Sequence, residues 1–172
     1  MRTGCIQVYT GNGKGKTTAA VGLALRAAGH GLRSYIGQFI KGQSYGEVEA
    51  LRNHLLITIE QYGDTRCIRR EDVSAEDSAR ARRGLEQAGH AMKSGRYEIV
   101  VLDEINVAVW FGLVSIEEVL TFLDQRPEHV ELILTGRRAA AEVLERADLV
   151  TEMKEVKHYY QRGLRAREGI EY

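Results

Sequence analysis

The sequence predicts an α/β protein, one domain over residues 1–172 with helices on both faces of a mainly parallel, doubly wound sheet. Three observations predict it. Short apolar runs alternate with helical patterns from one end of the chain to the other. A glycine-rich loop joins the first apolar run to the first helix. Pro127 is the only proline, and neither a repeat nor a low-complexity segment interrupts the alternation, so nothing reads as a linker to a second domain. A chain of 172 residues is long enough to bury one sizeable core.

The elements follow in order. Residues 5–9 are short and apolar enough for a strand, and residues 17–28 read as a helix that stops at Gly29-His30-Gly31. Residues 34–40 form a second strand. The polar loop 41–46 then lies at its C-terminal end, the edge where open α/β sheets bind ligands. A short helix over 47–53 leads to a third strand over 55–61, β-branched and partly alternating. Residues 63–73 read as irregular. Ser74-Ala75-Glu76-Asp77 is a capping box that opens a helix to about residue 94. Ala81, Leu85, Ala88 and Met92 make its buried stripe, and Arg80, Arg82 and Arg83 its solvated face. Residues 97–104 form a strand apolar enough to be buried on both faces. Residues 106–114, with Trp110 and Phe111, read as core. Ser115-Ile116-Glu117-Glu118 opens another helix, ended by Arg126-Pro127. A strand over 130–135, a helix over 139–147 and a strand over 149–153 complete the pattern.

The chemistry concentrates in two stretches. The first is Thr10-Gly11-Asn12-Gly13-Lys14-Gly15-Lys16-Thr17-Thr18. Between a strand and a helix, such a sequence is a phosphate-binding loop. Its glycines let successive backbone N–H groups turn inward on a polyphosphate. Lys16 adds a mobile positive charge, and the Thr17 hydroxyl is a natural ligand for a Mg²⁺ that bridges phosphate oxygens. Thr10 stands where the strict pattern has glycine, five places before Gly15. The second stretch is Asp103-Glu104, at the end of the 97–104 strand. In P-loop proteins a carboxylate here holds Mg²⁺ directly or through water. Asp103 also suits the cap of the next helix. The loop upstream favours the metal role, and spacing does not choose between the two carboxylates. Arg137, just past the 130–135 strand, has two readings, a phosphate contact or a surface ion pair. His158 alone reads as structural. The glycine loop, Asp103-Glu104, the 41–46 loop and Gly136-Arg137 are expected to share one sheet edge.

Composition narrows the class further. A formal net charge of +0 sets up no global field toward nucleic acid or a membrane. No apolar run approaches the length of a membrane span. The first strand begins so early that no signal peptide is expected. Cys5 and Cys67 make no disulfide framework, so a reduced, cytoplasmic setting is the expectation. Five scattered histidines lack ligand spacing, and no structural zinc is expected.

Read together, the motifs resemble the P-loop type of cob(I)alamin (corrinoid) adenosyltransferase. The resemblance runs nearly end to end, through Gly11-Asn12-Gly13-Lys14-Gly15-Lys16-Thr17-Thr18-Ala19-Ala20, Gln38-Phe39-Ile40-Lys41-Gly42, Leu102-Asp103-Glu104 and Ile133-Leu134-Thr135-Gly136-Arg137. It continues through Ala147-Asp148-Leu149-Val150-Thr151-Glu152-Met153, Val156-Lys157-His158 and Gly169-Ile170-Glu171-Tyr172. It implies a RecA-like fold, a homodimer, Mg²⁺, ATP and a reduced corrinoid as substrates, and an electron-donating reductase as partner. It also implies that ATP lies reversed in the loop, so that cobalt(I) takes the 5′-deoxyadenosyl group and triphosphate leaves. Lys16, Thr17 and Glu104 then carry catalysis, and Thr17, Asp103 and Glu104 hold the metal. Gly11, Asn12, Gly13, Lys14, Gly15, Lys16, Thr17, Thr18 and Arg137 bind the nucleotide, with Asn12 in reach of its nucleoside part. One departure is local. Some members carry Phe-Thr-Trp after the third strand, and residues 63–70 here hold no such aromatic pair. Tyr62, Ile68 and Trp110 are the candidates to dry the corrinoid's lower face instead.

Two other functions fit part of the pattern. A RecA-like ATPase acting on nucleic acid explains the loop and the carboxylates, but it calls for a basic surface that a net charge of zero does not provide. A non-catalytic regulator, in which ATP orders the 41–46 loop for a partner, explains the loop alone.

Overall fold

The computed structural model describes residues 3–172, and strands and helices alternate through them. Strand β1 (Ile6–Thr10) runs through the glycine loop into α1 (Lys16–Ala28). Then come β2 (Ser34–Lys41), α2 (Gly46–Leu51), β3 (Ile57–Asp64), α3 (Ala75–Lys93) and β4 (Ile99–Asp103). Helices α4 (Ile105–Phe111) and α5 (Ile116–Asp124), strand β5 (Glu131–Thr135), helix α6 (Ala141–Arg146) and strand β6 (Leu149–Glu152) complete the order. The sheet runs β3-β2-β4-β5-β1-β6, with every neighbouring pair parallel. The predicted α/β class and parallel sheet are therefore present.

Side-chain alternation along the central strand makes two cores. Val100 and Leu102 of β4 face a cluster with Ala81, Leu85, Ala88 and Met92 of α3 and with Val119 and Phe122 of α5. Ile99 and Val101 face the other layer, against Ala20, Ala24 and Ala27 of α1 and Leu51 of α2. All five β4 residues are buried, as its apolar run requires. Both predicted capping boxes form: Ser74 with Asp77 opens α3, and Ser115 with Glu118 opens α5.

Several boundaries differ from expectation for physical reasons. Strand β3 continues to Asp64 because β2 pairs with it residue for residue, from Ser34 with Ile57 to Lys41 with Asp64. Partner hydrogen bonds thus override the turn-like Gly63-Asp64 pair, while Leu55, expected inside the strand, is 96% exposed. The apolar 106–114 stretch is mostly helix α4; Asn106, Ala108, Leu113 and Val114 are buried, whereas Val107, Val109, Trp110 and Phe111 are half-buried and Gly112 is exposed. Arg80 is not simply solvated, since its guanidinium bridges Asp64 at 2.8 Å and Glu76 at 2.5 Å. Beyond β6 the described chain forms no further strand or α-helix, only a 3-10 turn at Tyr159–Arg162.

Candidate active site

The C-terminal edge of the sheet encloses a cavity of about 520 Å³. As expected, the glycine loop, Glu104, the loop after β2 and Arg137 meet there. Gly13, Lys14, Gly15, Lys16, Thr17 and Thr18 line it. Two glycines are required by the backbone. Gly15 sits at φ +115°, a conformation that L side chains rarely adopt. A Cβ on Gly13 would lie 2.7 Å from the Met153 carbonyl oxygen. That carbonyl accepts the Gly13 N–H at 2.7 Å, so this amide is tied to the segment after β6 instead of turning inward. Gly11 packs against the same segment, and Asn12 is exposed at the loop tip; neither lines the cavity.

Lys16 opens α1, whose first turn carries no acidic residue to offset its positive end. The side chain folds back over the loop, and its ammonium donates to the Gly11 carbonyl at 2.9 Å and the Gly13 carbonyl at 2.7 Å. Only 6% of Lys16 is exposed. Burial pulls its pKa below the ordinary lysine value, against the raising effect of Glu104. A charged donor that gives up so much hydration is poised for an anion.

The two carboxylates separate by depth. Asp103 is fully buried beneath the loop and is not a helix cap. Its Oδ1 accepts from the Thr17 hydroxyl at 2.9 Å and the Thr135 hydroxyl at 2.7 Å. Its Oδ2 accepts from the Lys41 ammonium at 2.8 Å and the Gln38 amide at 3.1 Å. Glu104 takes the next position at φ +63°. In an extended strand its side chain would point away from that of Asp103. The left-handed turn, held by the Glu104 N–H donating to Thr135 Oγ1 at 2.9 Å, puts Glu104 on the cavity wall. Burial, then the neighbouring Asp103 charge, raises the Glu104 pKa. Residues with positive φ outside glycine are Ile40, Glu104 and Arg138 among those described: Ile40 is next to last in β2, Glu104 directly follows β4, and Arg138 lies in the loop after β5. Such strain clusters where a site is being shaped.

The structure also brings in side chains that motif reading missed. Thr135 from β5, and Gln38 and Lys41 from β2, satisfy Asp103. A polar Gln38 between the apolar Ile36 and Phe39 of β2 was the available signal. The C-terminal tail closes one side of the cavity, with His158, Gly169, Ile170, Glu171 and Tyr172 on its lining. Lys14 reaches this tail, donating to Glu171 Oε1 and the Ile170 carbonyl, both at 2.8 Å, and to the Tyr159 hydroxyl at 3.1 Å. Arg167 joins at 3.3 Å. Arg167, then Lys14, hold the Glu171 carboxyl well below the ordinary glutamate value. Arg137 reaches the lining without a carboxylate partner among the described residues, so the surface-pair reading is not what the structure contains.

The segment that lacks the aromatic pair is an ion-pair cluster: Asp64 meets Arg80 at 2.8 Å and Arg66 at 3.5 Å, and Arg66 also meets Asp77. Of the three proposed substitutes, Ile68 is buried at 7% exposure, and the Tyr62 ring packs 6.1 Å from Phe39 with its hydroxyl on Tyr35. Trp110 is half-buried, as Tyr62 is, and its ring is flanked by Arg138 at 4.4 Å and Arg70 at 5.4 Å.

One prediction arises from the tail. A depressed carboxyl pKa contributes stability above the unfolded value of 4.5, and that stability fades as pH falls through the folded value. Glu171→Gln is therefore expected to melt a few degrees below wild type at neutral pH. The gap closes on acidification below 4.5. Affinity of the cavity for inorganic triphosphate is expected to fall about two- to fivefold, because exposed ion pairs are individually weak. Melting scans across pH and a binding titration check both.

A glycine loop with a buried lysine, a threonine hydroxyl on a buried aspartate and a parallel sheet delivering all three define a P-loop nucleotide-binding protein of the RecA-like class. More narrowly, the chain belongs to the ATP:corrinoid adenosyltransferase family BtuR/CobO/CobP, whose family model matches residues 2–172. It is 40% identical to the corrinoid adenosyltransferase CobA of Salmonella typhimurium, over 98% of this chain and 86% of that one. It is 38% identical to corrinoid adenosyltransferases of Escherichia coli K12, over 98% and 86%, and of a Sinorhizobium species, over 98% and 80%. Its activity is that of the family, transfer of the adenosyl group of ATP to the cobalt of a corrinoid.

Proposed function

We propose that the loop residues Gly13, Lys14, Gly15, Lys16, Thr17 and Thr18 grip the triphosphate of ATP as a leaving group, with Arg137 on the outer phosphate oxygens. The observation that carries this reading is the convergence of Lys16, the Thr17–Asp103 pair and Glu104 on one cavity. ATP lies reversed, with its ribose 5′-carbon toward the cavity mouth and its nucleoside in reach of Asn12. The cobalt(I) of a reduced corrinoid donates its electron pair to that carbon. A cobalt–carbon bond forms, the carbon–oxygen bond breaks, and triphosphate departs with the electrons of that bond. Because the nucleophile belongs to the substrate, the protein needs no catalytic serine or cysteine. Lys16 and the amides of the loop stabilise the charge that accumulates on the departing oxygens, and the walls align the two reactants and exclude water.

The Thr17 hydroxyl, Asp103 and Glu104 form an all-oxygen donor set, which suits a hard divalent cation that also takes phosphate oxygens and water. Mg²⁺ held there supplies further neutralisation of the triphosphate. We place Lys16, Thr17 and Glu104 in the catalytic set. The reading further takes residues 1–172 as one adenosyltransferase domain, working in the cytoplasm as a homodimer and drawing electrons from a reductase. Leu149 and Val150 on edge strand β6, 44% and 47% exposed, support a second copy as cover for that edge.

The test is anaerobic incubation with ATP, Mg²⁺ and chemically reduced cobalamin, followed by spectra and product analysis. Triphosphate together with a cobalt–carbon bond is the expected result. ADP with phosphate would point to an ATPase, and intact ATP to a nucleotide-binding regulator; either would overturn the proposal.

A further inference from the structure

The side chain of Lys41 stands where a divalent ion would be held. Its ammonium lies 2.9 Å from Thr17 Oγ1 and 2.8 Å from Asp103 Oδ2, bridging the two groups assigned above to the metal. Asp103 has no spare acceptor site: two hydroxyls, an amide and this ammonium use the four lone-pair directions of its carboxylate. Thr135 and Gln38 donate from within β5 and β2, and Thr17 from the first turn of α1. Lys41 is the last residue of β2, at the start of a polar loop, and its long side chain is the only cation among the four donors. It is the donor that can leave with least rearrangement.

The backbone is bent to put Lys41 there. Ile40, just before it, is β-branched and sits at φ +67°, a conformation that costs such residues energy. Opposite it in the β2–β3 register stands Gly63, where an added Cβ would fall 2.1 Å from the Ile40 carbonyl carbon. Strain at one residue and the absence of a side chain at its partner together aim the ammonium at Asp103. A second resting place lies close by, since Glu47 Oε1 is 3.7 Å from the same nitrogen and the Tyr45 ring centroid is 5.5 Å away. Both residues line the cavity.

We infer that Lys41 is a built-in counter-cation that shares one seat with the divalent ion, holding Thr17 and Asp103 in position until the ion arrives with triphosphate and then withdrawing toward Glu47 and the phosphates. The inference rests on the assignment of Thr17 and Asp103 to the metal. It makes Lys41 a positioning residue that couples ion binding to the loop carrying Tyr45 and Glu47. It also ties metal entry to nucleotide entry, because the ion alone must displace a charge that Asp103 already pairs with.

Two measurements test it. In the first, Mn²⁺ binding to nucleotide-free protein is followed by electron paramagnetic resonance of the free ion. Lys41→Met is expected to bind Mn²⁺ about tenfold tighter than wild type, or more, equivalent to about 1.4 kcal/mol. Equal affinity in the folded variant would overturn the proposal. The second uses wild-type protein with ¹³C-methylated lysines and inorganic triphosphate as the probe. Triphosphate with Mg²⁺ is expected to shift the Lys41 resonance, and triphosphate without Mg²⁺ to leave it in place. Binding of both with an unmoved Lys41 would overturn this proposal while leaving the phosphate cradle standing. No binding of triphosphate under either condition would overturn the cradle and this proposal together.

Discussion

Lys16→Ala is expected to lower kcat for adenosyl transfer by about 10²–10³-fold, the loss that follows removal of one preorganised group from a developing oxyanion. The size comes from where the ammonium sits. It is nearly buried, and its hydrogen-bond partners among the described residues are the carbonyls of Gly11 and Gly13. Those carbonyls are neutral and belong to a loop at the cavity surface. Losing the ammonium therefore removes little folding energy but the nearest fixed positive charge to the leaving triphosphate. The melting temperature should stay within a few degrees of wild type, since no buried ion pair is broken. Anaerobic kinetics with reduced cobalamin, paired with a thermal melt, check both halves. A variant that turned over normally would mean that the loop is not holding the leaving group.

Asp103→Asn is expected to fail differently, losing both activity and stability. The carboxylate accepts four hydrogen bonds, and one of them comes from Lys41. An asparagine keeps the shape, but it presents an N–H₂ group to donors and leaves Lys41 without its nearest counter-charge. Breaking a buried pair from one side costs about 3 kcal/mol or more. For a chain of this size that is a fall of about 6–12 °C in melting temperature. Activity should drop about 10²-fold and respond weakly to added Mg²⁺, because one of three proposed ligands is gone. Unchanged stability would show that the Asp103 network is not structural. An unchanged Mg²⁺ dependence would remove Asp103 from the metal site.

What the sequence made legible is local chemistry. Strand, glycine loop and helix could be read off residues 5–28 because each rests on short-range rules. The same holds for the two capping boxes, which start α3 and α5 where Ser74 and Ser115 place them. Tertiary pairing was harder to read. Gly63-Asp64 has the composition of a turn, yet β2 draws both residues into the sheet. Asp103 and Glu104 were equivalent in spacing, and only the left-handed turn at Glu104 assigns one to the floor and the other to the wall. Gly13 was expected to turn its N–H inward, but the segment after β6 claims it across 140 positions of sequence, through Met153. Lys41 was visible as the start of the polar 41–46 loop and within a family motif, and Glu171 only within a family motif, because what each touches is distant in the chain. Their roles depend on Asp103 and Lys14, which the fold brings to them.

The most direct measurement is a crystal structure with ATP and Mg²⁺, the corrinoid left out so that no transfer occurs. Triphosphate oxygens within hydrogen-bonding distance of the Gly15, Lys16 and Thr17 amides and of the Lys16 ammonium, with the ion beside Thr17 and Asp103, are the predicted result. Nucleotide and ion bound anywhere else, with the glycine loop bare, would contradict the account.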